Sequence, residues 1–140
     1  MEIISPIHGK IEYEENEILT FEKGIPGFQN LKKFVIKEVS NESPFNIMQS
    51  VEDKDIGFIL ISPFLVNDKY EIKLKDETIR FLEIQDSKDV LLYTIVNLKE
   101  KIEDITTNLK APLVINLKNR KCEQYILDTE KYKIREKVFK

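Results

Sequence analysis

Few residues in this chain of 140 could carry catalytic or metal chemistry. The single histidine is His8 and the single cysteine is Cys122, at opposite ends of the sequence. A zinc or iron site needs several such ligands close together, and a nucleophilic Cys–His pair needs a third, orienting group. We interpret Cys122 as a small packed residue of a strand. The sequence therefore predicts no catalytic residue, no metal and no cofactor.

Phosphate-binding and carboxylate chemistries have equally little support. The acids Asp53 and Asp55 form a pair, but among 25 acids such pairs arise by chance, and we interpret this one as an exposed loop. The four glycines follow neither the phosphate-loop nor the dinucleotide spacing: Gly9, Gly24, Gly27 and Gly57. We expect a protein that is not an enzyme, although one that uses only carboxylates or lysines stays open.

Composition indicates a single globular domain over residues 1–140. Hydrophobic residues make up 41% and charged residues 34%, with a net charge of −3. No apolar run approaches the roughly 18 residues of a membrane helix, and the N-terminus lacks the basic start of a secretory signal. With one cysteine, the chain suits a reducing compartment. We expect a cytoplasmic protein that does not bind membranes; the oligomeric state stays open, with a monomer as the simplest expectation.

A cluster of glycine and proline stands out at residues 24–28. Gly24 and Gly27 can take positive φ, and Pro26 holds its own φ near −65°. Phe21 and Phe28 stand at the two ends of this turn. The residues predict a rigid loop with a phenylalanine packed at each end, and we expect the Phe28 side chain to fill a space in the core.

Period-two alternation dominates the chain and predicts strands. Residues 10–14 and 70–75 alternate apolar with charged positions, as strands with one wet face do. Short, nearly all-apolar runs predict central strands, and a final pair is joined by a polar turn: Phe34–Ile36, Ile56–Ile61, Val90–Val96, and the pair Pro112–Leu117 with Cys122–Leu127. The fold class is therefore all-β in the main, a small antiparallel β-barrel or sandwich with one or two short helices.

Helical signals are weak. Asp76 can cap a short helix that runs through Phe81 and Leu82. Residues 98–109 suit either a second short helix or a turn-rich crossover, and the sequence does not separate the two. The C-terminal residues 132–138 fit a strand slightly better than a helix.

An acidic segment near the N-terminus is one candidate binding site. Four carboxylates fall within six positions: Glu12, Glu14, Glu15 and Glu17. In an antiparallel hairpin, Tyr13 faces inward and Glu15 with Asn16 makes the turn. Such a cluster repels itself unless a cation or a basic partner is near. It can dock lysine and arginine of a protein, or it can be a solvated tip that discourages edge aggregation.

Other candidates are an exposed aromatic residue and several amides. Pro63 ends a strand and leaves Phe64 where the chain turns, either as an anchor for a partner or as a core plug. Gln49 either fastens a loop or reaches a ligand. For Asn108 and Asn116, which bracket Pro112, we expect a structural role, because buried amides demand hydrogen-bond partners.

Four segments, in order along residues 21 to 132, carry a resemblance to a known family. They are Phe21–Phe28, Met48–Ser50 with Gly57–Pro63, Thr107–Asn116, and Gln124–Leu127 with Tyr132 downstream. In this order the chain resembles the FliW family of flagellar assembly factors. The resemblance spans nearly the whole chain, and it implies a compact, barrel-like β fold.

The resemblance also implies a function that residue chemistry alone does not indicate. Proteins of this family bind flagellin before export. When free of flagellin they bind and antagonise CsrA, a small dimeric RNA-binding regulator that represses translation of flagellin mRNA. The action on CsrA is implied to be allosteric. The resemblance assigns no contact residue in this chain.

A small β-barrel that binds nucleic acid directly is the alternative. It needs aromatic residues along a basic groove, and the candidates lie near the C-terminus: Tyr125, Lys131, Tyr132, Lys133 and Arg135. Residues 110–140 hold nine bases against four acids, whereas residues 1–22 hold six acids against one base. Because the chain is acidic overall and lacks tryptophan, we do not expect direct nucleic-acid binding.

Overall fold

In the computed structural model, residues 1–6 and 8–140 are described, and they form eleven strands and two short helices. The helices are α1 (Pro63–Val66) and α2 (Asp76–Phe81), and single 3-10 turns cover Glu15–Glu17, Ser87–Asp89 and Ile102–Asp104. The strands are β1 (Glu2–Ser5), β2 (Gly9–Glu12), β3 (Leu19–Thr20), β4 (Lys33–Glu38), β5 (Phe45–Ser50), β6 (Gly57–Ile61), β7 (Val90–Asn97), β8 (Thr106–Thr107), β9 (Leu113–Asn116), β10 (Cys122–Gln124) and β11 (Glu136–Lys137).

Two antiparallel sheets result from these strands. β1 and β2 pair only with each other, and the other nine strands form one sheet in the order β10-β9-β7-β6-β5-β4-β3. β8 pairs with β7, and β11 pairs with β8. The central apolar strands and the final strand pair predicted from the sequence are thus confirmed as β4, β6, β7, β9 and β10. The predicted short helix is α2, but Asp76 is its first residue and not its cap, which is Lys75.

Strand β7 of the large sheet pairs with different strands along its length. Residues 90–93 pair with β9, whereas residues 94–96 pair with β6. One core cluster gathers around Leu109, Val114 and the buried tyrosines, and a second gathers around Phe21, Phe34 and Met48. Burial of each large apolar side chain stabilises the fold by about 1.5–3 kcal/mol. Residues Val90, Leu92 and Val96 of β7 pack with the first cluster and Leu91, Tyr93 and Ile95 with the second, so the two clusters cover the two faces of β7.

The sheet is open, which corrects the barrel named among the predicted architectures. The strands at its two ends approach at a single parallel bridge between Thr20 and Lys121. There the Thr20 N–H donates to the Arg120 carbonyl at 2.9 Å. A closed barrel needs a continuous ladder all round. The expectation of a mainly β fold with one or two short helices is confirmed.

The acidic N-terminal segment does not form the predicted hairpin. β2 pairs with the preceding strand β1, in the register Glu2 to Glu12, and not with the strand that follows. Glu15, Asn16 and Glu17 make a 3-10 turn that leads into β3, which pairs with β4. The prediction of a hairpin turn at Glu15 and Asn16 was wrong because alternation marks a strand without indicating its partner.

The structure also decides three further segments that carry a pattern in the sequence. Residues 70–75 keep an alternating burial but join no ladder, so the strand predicted there is an isolated extended segment. Residues 98–109 form a turn-rich crossover with one 3-10 turn and strand β8, not an α-helix. The C-terminal strand is only two residues long, at Glu136 and Lys137, with Tyr132 and Ile134 before it.

Candidate partner-binding surfaces

The Gly/Pro turn at residues 24–28 is rigid and largely structural. Gly24 and Gly27 have φ of +69° and +89°, as their type predicts. The Gly24 N–H donates to the Phe21 carbonyl at 2.8 Å, and the Phe28 N–H donates to the Ile25 carbonyl at 2.7 Å. The Phe21 ring is fully buried and meets Phe34 edge-on, with ring centroids 5.6 Å apart. The turn is therefore tied to the core from its N-terminal end.

Phe28 plugs the core less fully than predicted. Its side chain is 37% exposed, and its ring meets Phe58 edge-on at a centroid distance of 5.7 Å. The neighbouring Pro26 lines a shallow surface pocket together with Phe58. This end of the turn forms part of the surface, whereas the Phe21 end belongs to the core.

Gln49 fastens a loop. The residue is 1% exposed, and its Nε2 atom donates toward four carbonyls of the loop between β5 and β6, at distances of 3.1–3.3 Å. These carbonyls belong to Ser50, Asp53, Lys54 and Ile56. A ligand has no access to this nitrogen. The geometry therefore supports a structural role for Gln49, in which its side chain fastens the loop.

The side chains of the two asparagines also bond to backbone groups. The Asn116 Nδ2 atom donates to the Leu82 carbonyl at 2.8 Å, and its Oδ1 accepts from the Lys118 N–H. Asn108 Oδ1 accepts from the Lys110 N–H at 3.0 Å, which shapes the chain that leads to Pro112. Asn116 is 2% exposed and ties the end of α2 to β9. Buried amides are usually satisfied in this way.

The four candidate carboxylates take different roles. Glu17 Oε2 lies 2.6 Å from Lys37 Nζ, and its other oxygen accepts from the Glu14 N–H at 2.9 Å. The hydrogen bond from Lys37, followed by the one from the Glu14 backbone, lowers the pKa of Glu17. Glu12 lies 3.2 Å from Lys10, which also contacts Glu2. Glu17 is thus a structural residue of the 3-10 turn.

Several of these acidic residues line a depression in the surface. It is a shallow depression of about 370 Å³. Its lining consists of Met1, Glu2, Glu12, Tyr13, Glu14 and Glu17. Glu14 and Glu15 are exposed, and neither side chain forms an ion pair with another described residue. We call this depression, with Glu15 beside it, the acidic notch.

A second surface is an apolar groove that sequence reasoning found only in part. Its volume is about 670 Å³, in the range of small-ligand and peptide sites. Phe64 stands at its edge, 47% exposed, with its ring edge-on to Tyr70 at 5.9 Å. The remaining apolar lining comes from the 70–75 segment, from α2 and the loop after it, and from β7: Ile72, Leu74, Ile79, Ile84, Val90 and Leu92. We call this surface the apolar groove.

Two tyrosine hydroxyls hold the extended segment beside this groove. The Tyr132 hydroxyl accepts from the Glu71 N–H at 3.0 Å and donates to the Glu71 carbonyl at 3.2 Å. The Tyr125 hydroxyl accepts from the Lys75 N–H at 3.0 Å and contacts the Lys73 carbonyl at 3.3 Å. These bonds span 50 or more positions of sequence, so no local pattern could have indicated them.

The same tyrosines were the aromatic candidates of the nucleic-acid alternative. Tyr125 is 7% and Tyr132 6% exposed, so neither ring offers a face on which a base could stack. Lys131 lies over the Tyr132 ring and 3.7 Å from Glu71. Lys133 and Arg135 are exposed. This surface lacks the stacking platform that the alternative requires.

His8 and Cys122 do not come together in a reactive pair. Cys122 is 1% exposed, and burial raises the pKa of its thiol, which keeps it protonated and inert. His8 packs against Gly57, and desolvation lowers its pKa. Among residues 1–6 and 8–140, no group of three His, Cys, Asp or Glu could hold a metal ion. In the same residues, no helix has the length and apolar character to cross a membrane.

The fold and these surfaces define a small protein built on a large open antiparallel sheet and a two-stranded one, with a notch of carboxylates and an apolar groove as its candidate sites. Comparison with known proteins identifies its family. The family model described as FliW protein matches residues 2–138. The chain therefore belongs to the FliW family.

Individual relatives agree with the family match over full length. The Flagellar assembly factor FliW of Clostridium botulinum (strain Okra / Type B1) is 45% identical over 140 residues, 100% of this chain and 98% of the relative. That of Clostridium novyi (strain NT) is 44% identical over the same coverage. A crystal structure of the flagellar assembly factor FliW superimposes with a TM-score of 0.91 at 42% identity, covering 100% of this chain and 98% of that one. None of these matches indicates an enzyme family.

Proposed function

We propose that this protein is a non-enzymatic partner switch of flagellar assembly in the cytoplasm. It binds flagellin before export. When free of flagellin, it binds CsrA and relieves the repression of flagellin mRNA translation. The observation that carries this proposal is the FliW match over residues 2–138, which agrees with full-length relatives named flagellar assembly factors.

The switch requires that the two partners exclude each other. Linkage then makes each partner raise the apparent dissociation constant of the other by the same factor. While unexported flagellin is abundant, the protein is occupied and CsrA stays on its transcript. As flagellin leaves the cell, the free protein captures CsrA by mass action.

The acidic notch supports the part of the proposal that concerns CsrA. A regulator that binds RNA carries a basic surface, and exposed carboxylates that form no ion pair complement it. Glu14 and Glu15 meet this condition, whereas Glu17 is held by Lys37. Exposed charge pairs of this kind act mainly on the association rate and depend on salt.

Charge reversal of the notch tests this assignment. We expect Glu14→Lys with Glu15→Lys to weaken CsrA binding by about tenfold or more at low salt, and by less at about 0.5 M salt, where screening is strong. The matched control is Glu100→Lys with Glu103→Lys, an equal change of charge at two exposed acids outside the notch. Titration calorimetry measures both affinities. Equal losses in the two double variants would assign the effect to net charge and not to the notch.

The proposal as a whole is tested by titrating this protein with CsrA from the same organism, with and without flagellin already bound. We expect tight binding to CsrA that flagellin abolishes. Circular dichroism first establishes that the protein is folded. Absence of heat with either partner would then contradict the proposal, and CsrA binding that flagellin leaves unchanged would contradict the switch.

A further inference from the structure

The extended segment from Glu71 to Lys75 has one bonded edge and one free edge. On the bonded edge, the Tyr125 and Tyr132 hydroxyls contact backbone groups of Glu71, Lys73 and Lys75. The backbone groups of Ile72 and Leu74 form no hydrogen bond with the described residues. Successive residues of an extended chain direct these groups to opposite edges. The free N–H and C=O groups of Ile72 and Leu74 therefore face away from the two tyrosines.

The apolar groove lies along this segment, away from the two tyrosines. Its lining includes Ile72 and Leu74 together with side chains of α2 and β7, and it does not include Tyr125 or Tyr132. Burial alternates along the segment, with positions 70, 72 and 74 turned inward and 71, 73 and 75 exposed. The groove thus offers apolar side chains and an unpaired strand edge side by side. This combination is a template for another strand, because unpaired backbone groups beside apolar surface favour pairing.

The chemistry of the groove specifies its occupant. A folded helix has already bonded its own backbone and leaves the free groups of Ile72 and Leu74 unsatisfied. An unfolded segment can satisfy them, and five residues at about 3.3 Å each match the length of the edge. Asp76 lines one end of the groove and forms no ion pair with the described residues, so it favours a basic side chain at the matching end of the occupant.

We propose that the apolar groove binds an unfolded segment of the partner chain by strand addition to the free edge of residues 71–75. Apolar side chains at alternate positions of the segment enter the groove beside Phe64, and a basic side chain meets Asp76. The inference rests on the proposed function, in which unexported flagellin supplies the segment. An ordering cost on docking keeps such a complex releasable.

Two pairs of matched variants test the groove. Phe64→Glu puts a charge at the groove edge, whereas Leu65→Glu makes the same change one residue away in α1, at a side chain that is 66% exposed and does not line the groove. We expect the first to weaken flagellin binding by about tenfold or more and the second by less than about twofold. Asp76→Lys and Glu77→Lys form the second pair, since both lie in the first turn of α2 and only Asp76 lines the groove.

Amide hydrogen exchange tests the strand addition itself. In nuclear magnetic resonance spectra of the protein, we expect the Ile72 and Leu74 amides to exchange fast alone and slowly with flagellin. The Glu71 and Lys75 amides, already bonded to tyrosine hydroxyls, change little. Loss of affinity in Phe64→Glu without protection at Ile72 and Leu74 would overturn strand addition. Equal affinities within both variant pairs would overturn the groove and leave the proposed function intact, whereas failure of the unaltered protein to bind flagellin would overturn both.

Discussion

Gln49→Glu is expected to destabilise the protein by about 3–5 kcal/mol at neutral pH, the cost of an uncompensated buried charge. The substitution keeps the shape of the side chain and replaces the Nε2 nitrogen by an oxygen. That atom lies 3.1–3.3 Å from four carbonyl oxygens of the loop between β5 and β6. The two hydrogens that the amide shares among these carbonyls are lost, and a carboxylate oxygen repels the same carbonyls in a site where Gln49 is 1% exposed.

The loss of stability caused by Gln49→Glu must depend on pH. Burial among carbonyls raises the pKa of the introduced carboxyl in the folded state above its unfolded value of about 4.3. Below that unfolded value the carboxyl is protonated in both states, and the ionisation penalty is absent. The penalty grows as pH rises above about 4.3 and is complete above the folded pKa. Some loss persists at low pH, because a protonated carboxyl donates one hydrogen where the amide donates two.

Urea unfolding of the variant and the unaltered protein at pH 7 and near pH 4 measures this difference. The control is Gln124→Glu, since Gln124 is half-buried and its Nε2 donates to only one carbonyl, that of Ala111, at 3.2 Å. We expect Gln124→Glu to lower the free energy of unfolding by about 1 kcal/mol, the contribution of an ordinary hydrogen bond. Equal costs for the two variants would show that the four-carbonyl contact does not stabilise the loop.

Gly24→Ala is the second substitution with a large expected effect, about 3 kcal/mol or more. Gly24 has φ of +69°, a region that costs other residues about 1–2 kcal/mol. A Cβ at this position would also lie 2.6 Å from the Cα and the carbonyl oxygen of Gln29. Because these are backbone atoms, the turn itself must move. The displacement then disturbs Phe21 and Ile25, which are 0% and 2% exposed.

Gly27→Ala is the matched control in the same turn. Gly27 also has positive φ, +89°, but a Cβ there meets no atom within 4 Å. Gly27→Ala should therefore lower the free energy of unfolding only by the backbone strain, about 1–2 kcal/mol. The difference between the two variants in thermal and urea unfolding isolates the clash with Gln29. If both glycines tolerate alanine equally well, the close approach of Gln29 to Gly24 does not exist in solution.

Much of the fold could be predicted because its signals are local. The apolar runs of β4, β6 and β7 are short, rich in β-branched residues, and bounded by turns, so they identify central strands directly. The Gly24–Phe28 turn is equally local, since positive φ favours glycine and Pro26 restricts its own neighbourhood. The resemblance to the FliW family rested on the same short segments, and the family match over residues 2–138 confirmed it.

Pairing was less predictable because alternation carries no information about the partner. Residues 10–14 and 70–75 have similar patterns, yet β2 lies in a hairpin with β1 and residues 70–75 join no ladder. The reason is that a strand's partner is set by packing of distant segments. The acidic residues illustrate the same limit, since Lys37 bonds to Glu17 from twenty positions away.

By itself the sequence determined the mainly β class, the position of the Gly/Pro turn and the family. The tertiary structure alone decided that the sheet stays open, that Gln49 fastens a loop, and that an apolar groove lies beside a free backbone edge. The groove and its free edge depend on distant groups, such as the Tyr132 hydroxyl and the backbone of Glu71, 61 positions apart. Contacts over such distances form only when the two core clusters are packed, so no periodicity or spacing in the chain specifies them.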